Sequence, residues 1–600
     1  MRVLVSSFQN AFFQEMATVV VEEITRLGRR AEVIDARTRA EPNDVYVLLP
    51  THEYLVLEGH GHLSDAAIAS RTIGITAEQP TSSHFGVNVD AGRSLGALFD
   101  FSAHSVAAYR RHGLRCHHLP FGWTPSWDRY RPEPNAGGPD ILFLGASTLR
   151  RRAALAQLAR PLWQRSSQLV ISDNSQRPNH EGSASFITGD EKRRLLATSK
   201  VLLNLHQTDE PYFEWLRVAE AAMCGTVVVT EPSIHMDPYV DGVHLAVHSV
   251  PGIAGALDEL LDDPTAIDRL RREAYELVRA RPFASAVERL LEVADGLNRR
   301  CAYATGAVGP TRTTPYQHMP PARTGRDRDK ADVVRQAIRE IRLDLMDVRR
   351  QLQAVHISEA TAAADPQVVH QSPATELAPR PPKVSVLMAV YNHGGFVPAA
   401  LSSAANSGFD DLELIVVDDG SADDSLDVAR SWITDNPDVR ARLVAVPVNR
   451  GLPRARNTAV GFAAGEYCFV LDADNEVLPG GLDRLAAALD DDPSAAFAFG
   501  VLETFSNSGP VGLLGELPWD IDRLPDGNYI DAMAMIKREV LVELGGYATD
   551  RRLYGWEDYD LWCRIAESGG YGVHVPTLVA RYRLAMSSMV SLSNLSHDAA

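Results

Sequence analysis

Three almost continuous apolar runs, each ending in carboxylate or amide side chains, constrain the fold more than any other feature of this chain. They span Lys383–Asn392, Leu412–Asp419 and Phe469–Asp474. A helical apolar pattern follows the first run over Phe396–Asn406, and another begins after the second near Asp423–Ser425. Strands that are apolar along their length and alternate with helices are typical of a mostly parallel sheet covered on both faces. We therefore predict an α/β fold for the carboxyl half.

The polar residues that end these runs are expected to form a binding site. Ligands of open α/β sheets bind at the carboxyl ends of the strands, which is where Tyr391–Asn392, Asp418–Asp419, Asp472 and Asp474 fall. Side chains two residues apart in an extended segment point the same way, so Asp472 and Asp474 are expected to converge. Carboxylate oxygens suit a hard divalent cation, although a charged turn after a strand also fits so short a pattern.

Six short motifs follow one another within residues 383–591. They are Val390–Asn392, Val417–Ser421, Asn449–Asn457, Leu471–Asp474, Leu544–Tyr547 and Gly555–Trp562. In this order and at this spacing they resemble the family 2 glycosyltransferases of GT-A fold. The resemblance implies transfer of a sugar from a nucleotide-diphosphate donor to an acceptor hydroxyl, with inversion and with the help of a metal.

The resemblance also implies a role for each matching residue. Asp418 or Asp419 would contact the base or ribose of the donor. Asp472 and Asp474 would hold Mn²⁺ or Mg²⁺ against the diphosphate, and Asp558 would be the general base. The remaining positions of the implied catalytic and donor-binding set are Glu557, Tyr391, Asn392, Trp556, Gly545 and Gly546. A UDP-sugar is favoured over a GDP- or dTDP-sugar as donor.

Elementary chemistry agrees with this assignment. A nucleoside diphosphate leaves with growing negative charge, which a divalent cation stabilises, and a carboxylate within hydrogen-bond reach removes the acceptor proton. The guanidinium groups of Arg454 and Arg456 match phosphate geometry, but both residues also fit a solvated helix face. Related enzymes often carry a metal-binding histidine on the segment that is Arg581–Ser588 here, which has none, and His597 lies further on. The third metal ligand is left open.

Composition restricts the class of protein. The chain has 600 residues, too many for one domain, and a net charge of −19, which argues against electrostatic binding of nucleic acid. Its five cysteines have no paired spacing, which favours a reducing cytoplasm over a disulfide framework or a zinc site. The first residues lack the pattern of a signal peptide, and no apolar run approaches the length of a membrane span. We expect a cytoplasmic protein, peripheral to a membrane if its acceptor is a lipid.

The amino half has a second α/β pattern, in which two Rossmann-like subdomains are predicted at 1–130 and 131–297. The segments Phe213–Val229 and Asp237–Gly242 resemble the donor-binding half of GT-B enzymes of the "glycosyl transferases group 1" kind. That resemblance implies that Glu220 contacts the nucleotide ribose. Arg217, one helical turn earlier, would face the diphosphate.

Two features of the amino half leave its chemistry open. Tyr212 stands where the resemblance leads us to expect a partner glutamate, eight residues before Glu220. Polar loop residues follow several predicted strands, where an acceptor site would lie, but a structural role is the more ordinary assignment for each. They are His52, Glu53, Glu78, His206, Glu214 and His235.

A connector separates the two halves at 298–382. Its first part has linker composition, and an amphipathic helix with a heptad stripe is predicted at about 331–356. Three heptads are short for an isolated coiled coil, so packing on a domain is favoured, and homodimerisation stays open. Ser358–Pro382 is predicted to be flexible.

The sequence therefore predicts a GT-B-like pair of Rossmann-like domains, a helical linker and a GT-A domain at 383–600. The leading interpretation is a tandem, bifunctional glycosyltransferase acting on a glycan or lipid-linked glycan. Alternatively, only the GT-A domain is catalytic, and the amino half is a noncatalytic module that binds glycan or a partner. A third interpretation, nucleotidyl transfer or sugar-nucleotide binding alone, is disfavoured by the Trp556–Asp558 motif, because a pure binder needs no acceptor base.

Overall fold

The structure, a computed structural model, describes the chain except residues 8–9, 40, 42–43, 60, 83, 134–136, 174–185, 305–364, 551–552, 554 and 585–600. The chain divides into two compact units, one of residues 1–147 with 170–332 and one of 148–169 with 333–600. Within the described residues, no helix combines the length and the apolar character that crossing a membrane requires. The predicted helix at about 331–356 lies outside the described residues.

The first unit begins with a parallel sheet of strand order β2-β1-β3-β4-β5-β6. Helix α1 starts where the Asn10 side chain accepts the Phe12 N–H, and its apolar face buries Met16, Val20 and Ile24. The elements are β1 (Arg2–Val5), α1 (Ala11–Arg26), β2 (Glu32–Asp35), β3 (Tyr46–Leu48), α2 (Thr51–Glu58), α3 (Ala66–Ala69), β4 (Thr72–Thr76), α4 (Phe85–Gly92), β5 (Ala97–Asp100), α5 (Ala103–Arg111) and β6 (Cys116–His118).

A second sheet follows, with strand order β11-β10-β9-β7-β8. Helix α9 ends at Gly225, whose φ of +76° is the left-handed conformation that closes a helix. The elements are β7 (Ile141–Ala146), α6 (Leu149–Gln157), α7 (Ala159–Gln164), β8 (Ser167–Ser172), α8 (Gly189–Thr198), β9 (Val201–Asn204), α9 (Trp215–Cys224), β10 (Val227–Thr230), β11 (Ala246–Val247), α10 (Val250–Leu261), α11 (Pro264–Arg279) and α12 (Phe283–Ala304). Helices α6 and α7 belong to the second unit.

The second unit contains a mixed sheet of order β12-β15-β14-β13-β16-β20-β18-β21-β17, with β19 paired to β18. The predicted parallel strands form its centre, because β13 pairs in parallel with β14 and β16. The elements are β12 (Gln367–Gln371), α13 (Pro373–Glu376), β13 (Val384–Val390), α14 (Val397–Ala405), β14 (Leu412–Asp419), α15 (Ser425–Asp435), β15 (Ala441–Val446), α16 (Leu452–Phe462), β16 (Tyr467–Val470), β17 (Glu476–Val477), α17 (Gly481–Asp491), β18 (Phe497–Ser506), β19 (Gly509–Leu514), β20 (Met535–Lys537), α18 (Arg538–Glu543), α19 (Glu557–Glu567) and β21 (Gly572–Arg583).

The α/β class is confirmed, and the structure corrects the expected connector at both ends. Helix α12 runs to Ala304, past the predicted boundary at 298. The predicted flexible segment Ser358–Pro382 contains β12, which pairs antiparallel with β15 and is followed by the fully buried Ser372, whose Oγ accepts the Ala441 N–H at 3.1 Å. Strand β12 has only five residues and is surrounded by polar residues, so the sequence shows no clear alternation that would predict a strand. It forms because it pairs with β15, which is distant in sequence.

Candidate active site

Asn392 ties the loop after β13 to the loop after β14. Its backbone adopts a φ of +55°, its N–H donates to Ser421 Oγ at 3.0 Å, and its side-chain Oδ1 accepts the Ala422 N–H at 2.7 Å. The neighbouring Tyr391 side chain is 42 % exposed. Asn392 therefore joins the two loops at the carboxyl edge of the sheet, and a donor contact by the exposed Tyr391 stays a prediction.

The structure distinguishes Asp418 from Asp419 at the end of β14. Asp419 accepts the backbone N–H groups of Arg450 and Gly451 at 2.8–3.0 Å, so its carboxylate holds the loop before α16. Asp418 uses Oδ1 to accept the Ser421 N–H at 3.1 Å, and its buried Oδ2 has no hydrogen-bond partner among the described residues. Unpartnered buried acceptors are rare, so Asp418 is the better candidate for contact with a ribose or base.

Asp472 and Asp474 occupy a turn rather than a strand. Strand β16 ends at Val470, so the expected convergence of extended i and i+2 side chains does not describe the pair. The two carboxylates nevertheless repel each other, and burial together with Asp472 raises the pKa of Asp474. Both aspartates are half-buried at the carboxyl end of the central strand.

Arg456 is the buried cation of this site. Its side chain is 4 % exposed, Nη2 donates to Asp472 Oδ1 at 2.8 Å, and Nη1 donates to Glu557 Oε1 at 3.0 Å. Arg454, two residues earlier on α16, is exposed. The two arginines therefore differ: Arg456 links two carboxylates, and Arg454 is the one whose charge faces solvent.

The first turn of α19 carries two carboxylates that differ in burial and in hydrogen-bond partners. Glu557 is buried and also accepts the Gly555 N–H at 2.8 Å. Asp558 is half-buried, accepts the Asn528 side-chain N–H at 3.0 Å, and has its pKa raised to about 7 by burial and by the charge of Glu557. A base whose pKa lies near neutral pH is suited to proton transfer, so Asp558 fits the predicted role and Glu557 is engaged with Arg456.

Three residues of this site were missed by sequence reasoning. Asp531 lies close enough to Asp472 to feel its charge, and burial with that repulsion raises its pKa to about 7. Asn528 holds Asp558, and Tyr582 on β21 has its pKa raised by burial and by the surrounding aspartates. They reach the site through long-range pairing of β18, β20 and β21, for which the local sequence carries no signal.

The pair Gly545–Gly546 is required by the backbone. Both have positive φ, +74° and +76°, and a Cβ on Gly546 would lie 2.4 Å from Asn457 Oδ1. That amide accepts the Tyr547 N–H at 2.7 Å and donates to the Tyr547 carbonyl at 2.8 Å. The two glycines therefore allow the segment before Tyr547 to pack against Asn457 of α16. The predicted approach of the glycines to a sugar and the predicted donor contact of the half-buried Trp556 stay predictions.

The carboxylate oxygens at this site fit a hard cation that is held by few protein ligands. Asp472 and Asp474 would supply oxygen ligands, and a divalent cation would relieve the repulsion between their carboxylates. Among the described residues, no three His, Cys, Asp or Glu side chains are grouped to hold a metal. On the segment expected to supply a histidine, Arg583 Nε instead donates to the Asp474 carbonyl at 3.1 Å. Donor phosphates and water would have to complete the coordination.

In the first unit, Glu220 lies in a buried ionic network. Its Oε2 is 2.9 Å from Lys192 Nζ, its Oε1 has no hydrogen-bond partner in the described part of the chain, and Glu15 also pairs with Lys192 and Arg193. Arg217 Nη1 contacts Glu214 at 2.6 Å and Asn204 at 3.0 Å. Both predicted donor contacts are therefore partly engaged by protein groups.

Comparison with known proteins finds glycosyltransferase similarity in both halves. Residues 385–546 match the model "Glycosyl transferase family 2" and residues 150–292 match "Glycosyl transferase-like". The chain is 26 % identical over 204 residues to "Putative glycosyltransferase EpsE" of Bacillus subtilis, covering 34 % of this chain and 73 % of that protein. It is 27 % identical over 195 residues to "Hyaluronan synthase" of Pasteurella multocida, covering 32 % of this chain and 19 % of that much longer protein.

A likeness to a solved structure is weaker. The mannosyltransferase PcManGT from Pyrobaculum calidifontis, solved in complex with GDP-Man and Mn²⁺, has a TM-score of 0.28 and 21 % identity, covering 43 % of this chain and 70 % of that one.

Proposed function

We propose that this chain, in which two regions match glycosyltransferase models, carries out one sugar transfer in each of its two units. The second unit transfers a sugar with inversion from a nucleoside-diphosphate donor to an acceptor hydroxyl. The first unit adds another sugar. One observation carries the proposal for the second unit. Asp558 lies in the first turn of α19, directly after Glu557, the buried residue that Arg456 contacts, and its pKa is raised to about 7.

The donor side of the second unit is formed by the strand ends. The unpartnered Oδ2 of Asp418 would accept a ribose hydroxyl or a base N–H. Asp472 and Asp474 would hold Mn²⁺ or Mg²⁺ beside the diphosphate. When bound, the metal neutralises the charge that grows on the leaving nucleoside diphosphate.

The acceptor side is formed by Asp558. Its ionised carboxylate takes the proton of the acceptor hydroxyl while the hydroxyl oxygen attacks the anomeric carbon of the donor sugar. The bond from that carbon to the diphosphate oxygen breaks, and its electron pair leaves with the nucleoside diphosphate. One such displacement inverts the anomeric centre and needs no nucleophile from the protein.

Substitution of Asp558 tests the base assignment. Asp558→Asn keeps the shape of the side chain but cannot accept the proton, so transfer by the second unit should fall by about 10²–10⁴-fold, with donor affinity retained. Glu567→Gln, at the exposed end of the same helix, is the control. Transfer by Asp558→Asn at the rate of the native protein would exclude Asp558 as the base.

Substitution of Asp474 tests the metal assignment. Asp474→Ala should abolish the stimulation of transfer by added Mn²⁺ or Mg²⁺, whereas Asp483→Asn on the exposed face of α17 should leave the metal response unchanged. A metal response equal to that of the native protein in Asp474→Ala would remove this residue from the metal site.

The finer identity of the substrates rests on sequence resemblance. We propose a UDP-sugar as donor and a glycan or lipid-linked glycan as acceptor. A cytoplasmic location, with peripheral membrane contact if the acceptor is a lipid, would suit cysteines with no paired spacing. These assignments are tested together by assaying UDP-, GDP- and dTDP-sugars in parallel with free and lipid-linked acceptors.

A noncatalytic first unit is the second candidate. It is favoured by the engagement of Glu220 with Lys192 and of Arg217 with Glu214. If the Asp558→Asn protein loses every transfer activity while still binding glycans, the first unit is a binding module. Loss of one linkage only would show that both units are active.

A further inference from the structure

The loop between β19 and β20 is tied to α19 at two points. The Tyr559 hydroxyl donates to the Leu524 carbonyl at 2.5 Å, and the indole N–H of the buried Trp562 donates to the Ile530 carbonyl at 3.2 Å. The loop residues between these points are therefore held beside the first turns of α19, the helix that carries the proposed base.

Asn528 is the residue of this loop that reaches the proposed base. Its side-chain Nδ2 donates one N–H to Asp558 Oδ2 at 3.0 Å, and its Oδ1 accepts the Ile530 N–H at 3.2 Å. Because the amide oxygen is held by the backbone, the direction of both N–H groups on Nδ2 is set. The second N–H has no hydrogen-bond partner among the residues that the structure describes.

A ligand has access to both groups. Asn528 is exposed and Asp558 is half-buried. Gly527, directly before the asparagine, has a φ of +138°, and a Cβ built there would meet no heavy atom of the described residues within 4 Å. The space beside the amide is therefore open.

The Asp558 carboxylate keeps lone pairs for a ligand. Its Oδ1 accepts the Tyr559 N–H at 2.8 Å and its Oδ2 accepts the Asn528 amide, and these are its hydrogen bonds within the described part of the chain. An ionised carboxylate offers about four acceptor positions. The remaining positions can accept the hydrogen of a hydroxyl group.

The two side chains together match a pair of neighbouring hydroxyl groups. The carboxylate accepts a hydrogen from one hydroxyl, and the amide N–H donates to the oxygen of the other. Oδ2 of Asp558 and Nδ2 of Asn528 are 3.0 Å apart, and the oxygens of adjacent hydroxyls on a sugar ring are separated by a similar ~3 Å. A ligand with only one hydroxyl at this place would leave the amide N–H facing an alkyl group and unsatisfied.

We propose that Asn528 binds the acceptor and selects a vicinal diol, whose reacting hydroxyl contacts Asp558 while its neighbour accepts the second N–H of Asn528. This inference rests on the proposed sugar transfer by the second unit and narrows its acceptor. The proton of the reacting hydroxyl passes to Asp558 as the oxygen bonds to the anomeric carbon of the donor. The bond from that carbon to the diphosphate breaks, and its electron pair leaves with the nucleoside diphosphate. Asn528 takes no proton and places the diol.

The test compares acceptors that differ by one hydroxyl. The full chain receives UDP-, GDP- and dTDP-sugars with p-nitrophenyl hexosides, and the linkage of the product is determined by NMR. Transfer measured with Asp558→Asn is subtracted, so that only the second unit is followed. The acceptor is then replaced by its deoxy analogues at the carbons on either side of the glycosylated position. Loss of the hydroxyl that contacts Asn528 should lower kcat/KM by about 3–10-fold, as expected for one hydrogen bond between uncharged groups.

The same comparison in variants of Asn528 isolates this contact. Asn528→Ala should use the deoxy analogue as well as its parent acceptor, because the N–H that distinguishes them is gone. Asn528→Asp keeps the size of the side chain without an N–H and should also lose the preference. Rates are measured at a pH well above the pKa of Asp558, where the base is ionised in every protein compared. Asp522→Asn, exposed in the same loop, should keep the native preference, and circular dichroism and thermal unfolding show that the variants fold.

The outcomes separate this inference from the proposed function. Asn528 is excluded as the selecting residue if the native protein uses both deoxy analogues as well as the parent, or if Asn528→Ala and Asn528→Asp keep the full preference. A product linked only through a primary hydroxyl, with no hydroxyl on the adjacent carbon, would likewise overturn it, and in each case the transfer itself stands. If no hexoside receives a sugar in a reaction that depends on Asp558, the proposed function of the second unit fails, and the role of Asn528 falls with it.

Discussion

The guanidinium of Arg456 donates to the carboxylate of Asp472 over 2.8 Å from a position where only 4 % of the arginine side chain is exposed. The same group reaches Glu557 at 3.0 Å. One buried cation therefore joins the predicted metal-binding turn after β16 to the start of α19, which carries the proposed base. Movement of either carboxylate is resisted by the other.

Removal of this cation should destabilise the second unit strongly. Arg456→Met leaves Glu557 buried and without its charge partner, and breaking a buried ion pair costs about 3–5 kcal/mol. The measurement is the free energy of unfolding of the full chain in denaturant, followed by a probe in the second unit. Arg454→Met, exposed on the same helix, should change it by less than about 0.5 kcal/mol. Equal effects of the two substitutions would contradict the bridging role.

Activity of the second unit should depend on the ionisation of Asp558. Because the pKa of this carboxyl is raised to about 7 and the base must be ionised, kcat/KM should rise with pH up to about 7 and level off above it. Asn528→Ala removes a hydrogen bond that favours the ionised form, so the rise should move to higher pH. A profile that is flat between pH 5 and 8, or one that moves to lower pH in Asn528→Ala, would exclude this assignment.

The two adjacent glycines should respond differently to the same substitution. In Gly545→Ala the added Cβ has no heavy atom within 4 Å, so the only cost is that of a φ of +74° for a residue with a Cβ. This should lower the free energy of unfolding by about 1–2 kcal/mol. Gly546→Ala adds a clash with Asn457 Oδ1 and disrupts the two hydrogen bonds of that amide to Tyr547, for a total of about 3 kcal/mol or more. Thermal and denaturant unfolding of both variants provide the comparison, and a Gly545→Ala protein less stable than Gly546→Ala would show that the clash is relieved at no cost.

The ionic network of the first unit should contribute stability through Glu220. Glu220→Gln removes the charge that Lys192 contacts at 2.9 Å but leaves Glu15 as a second partner at 3.5 Å. The expected loss is about 1–3 kcal/mol, compared with no measurable loss for Glu259→Gln on the exposed face of α10. If Glu220→Gln unfolds at the same denaturant concentration as the native protein, the network is not structural.

The central strands and the strand-end aspartates were predictable because they depend on local pattern. Apolar runs located β13 and β14, and the residues that end them fell where a parallel sheet gathers ligands. The choice between Asp418 and Asp419 was not predictable, because it depends on amide groups of residues 450–451 that only the folded chain brings to Asp419.

The remaining site residues depend on long-range pairing. Asp531 and Tyr582 lie in the site because β20 pairs with β16 and β21 pairs with β18. The sequences of β20 and β21 do not indicate which strands they pair with. The carboxylates of Asp472 and Asp474 lie close enough to repel each other, but they do so from the turn that follows β16 rather than from an extended strand. The apolar run continues through Leu471, one residue past the end of β16 at Val470, and the Leu471 N–H still donates to the Leu387 carbonyl at 2.9 Å.

Strand β12 has a practical consequence for dividing this chain. A protein shortened to begin at residue 383, where the apolar pattern starts, would lose β12 and leave one side of β15 with unpaired backbone N–H and C=O groups. An uncovered strand of this kind is a template for edge-to-edge association between molecules. The short strand thus protects the edge of β15 from self-association, and any fragment that contains this sheet should begin before residue 367 so that β12 is retained.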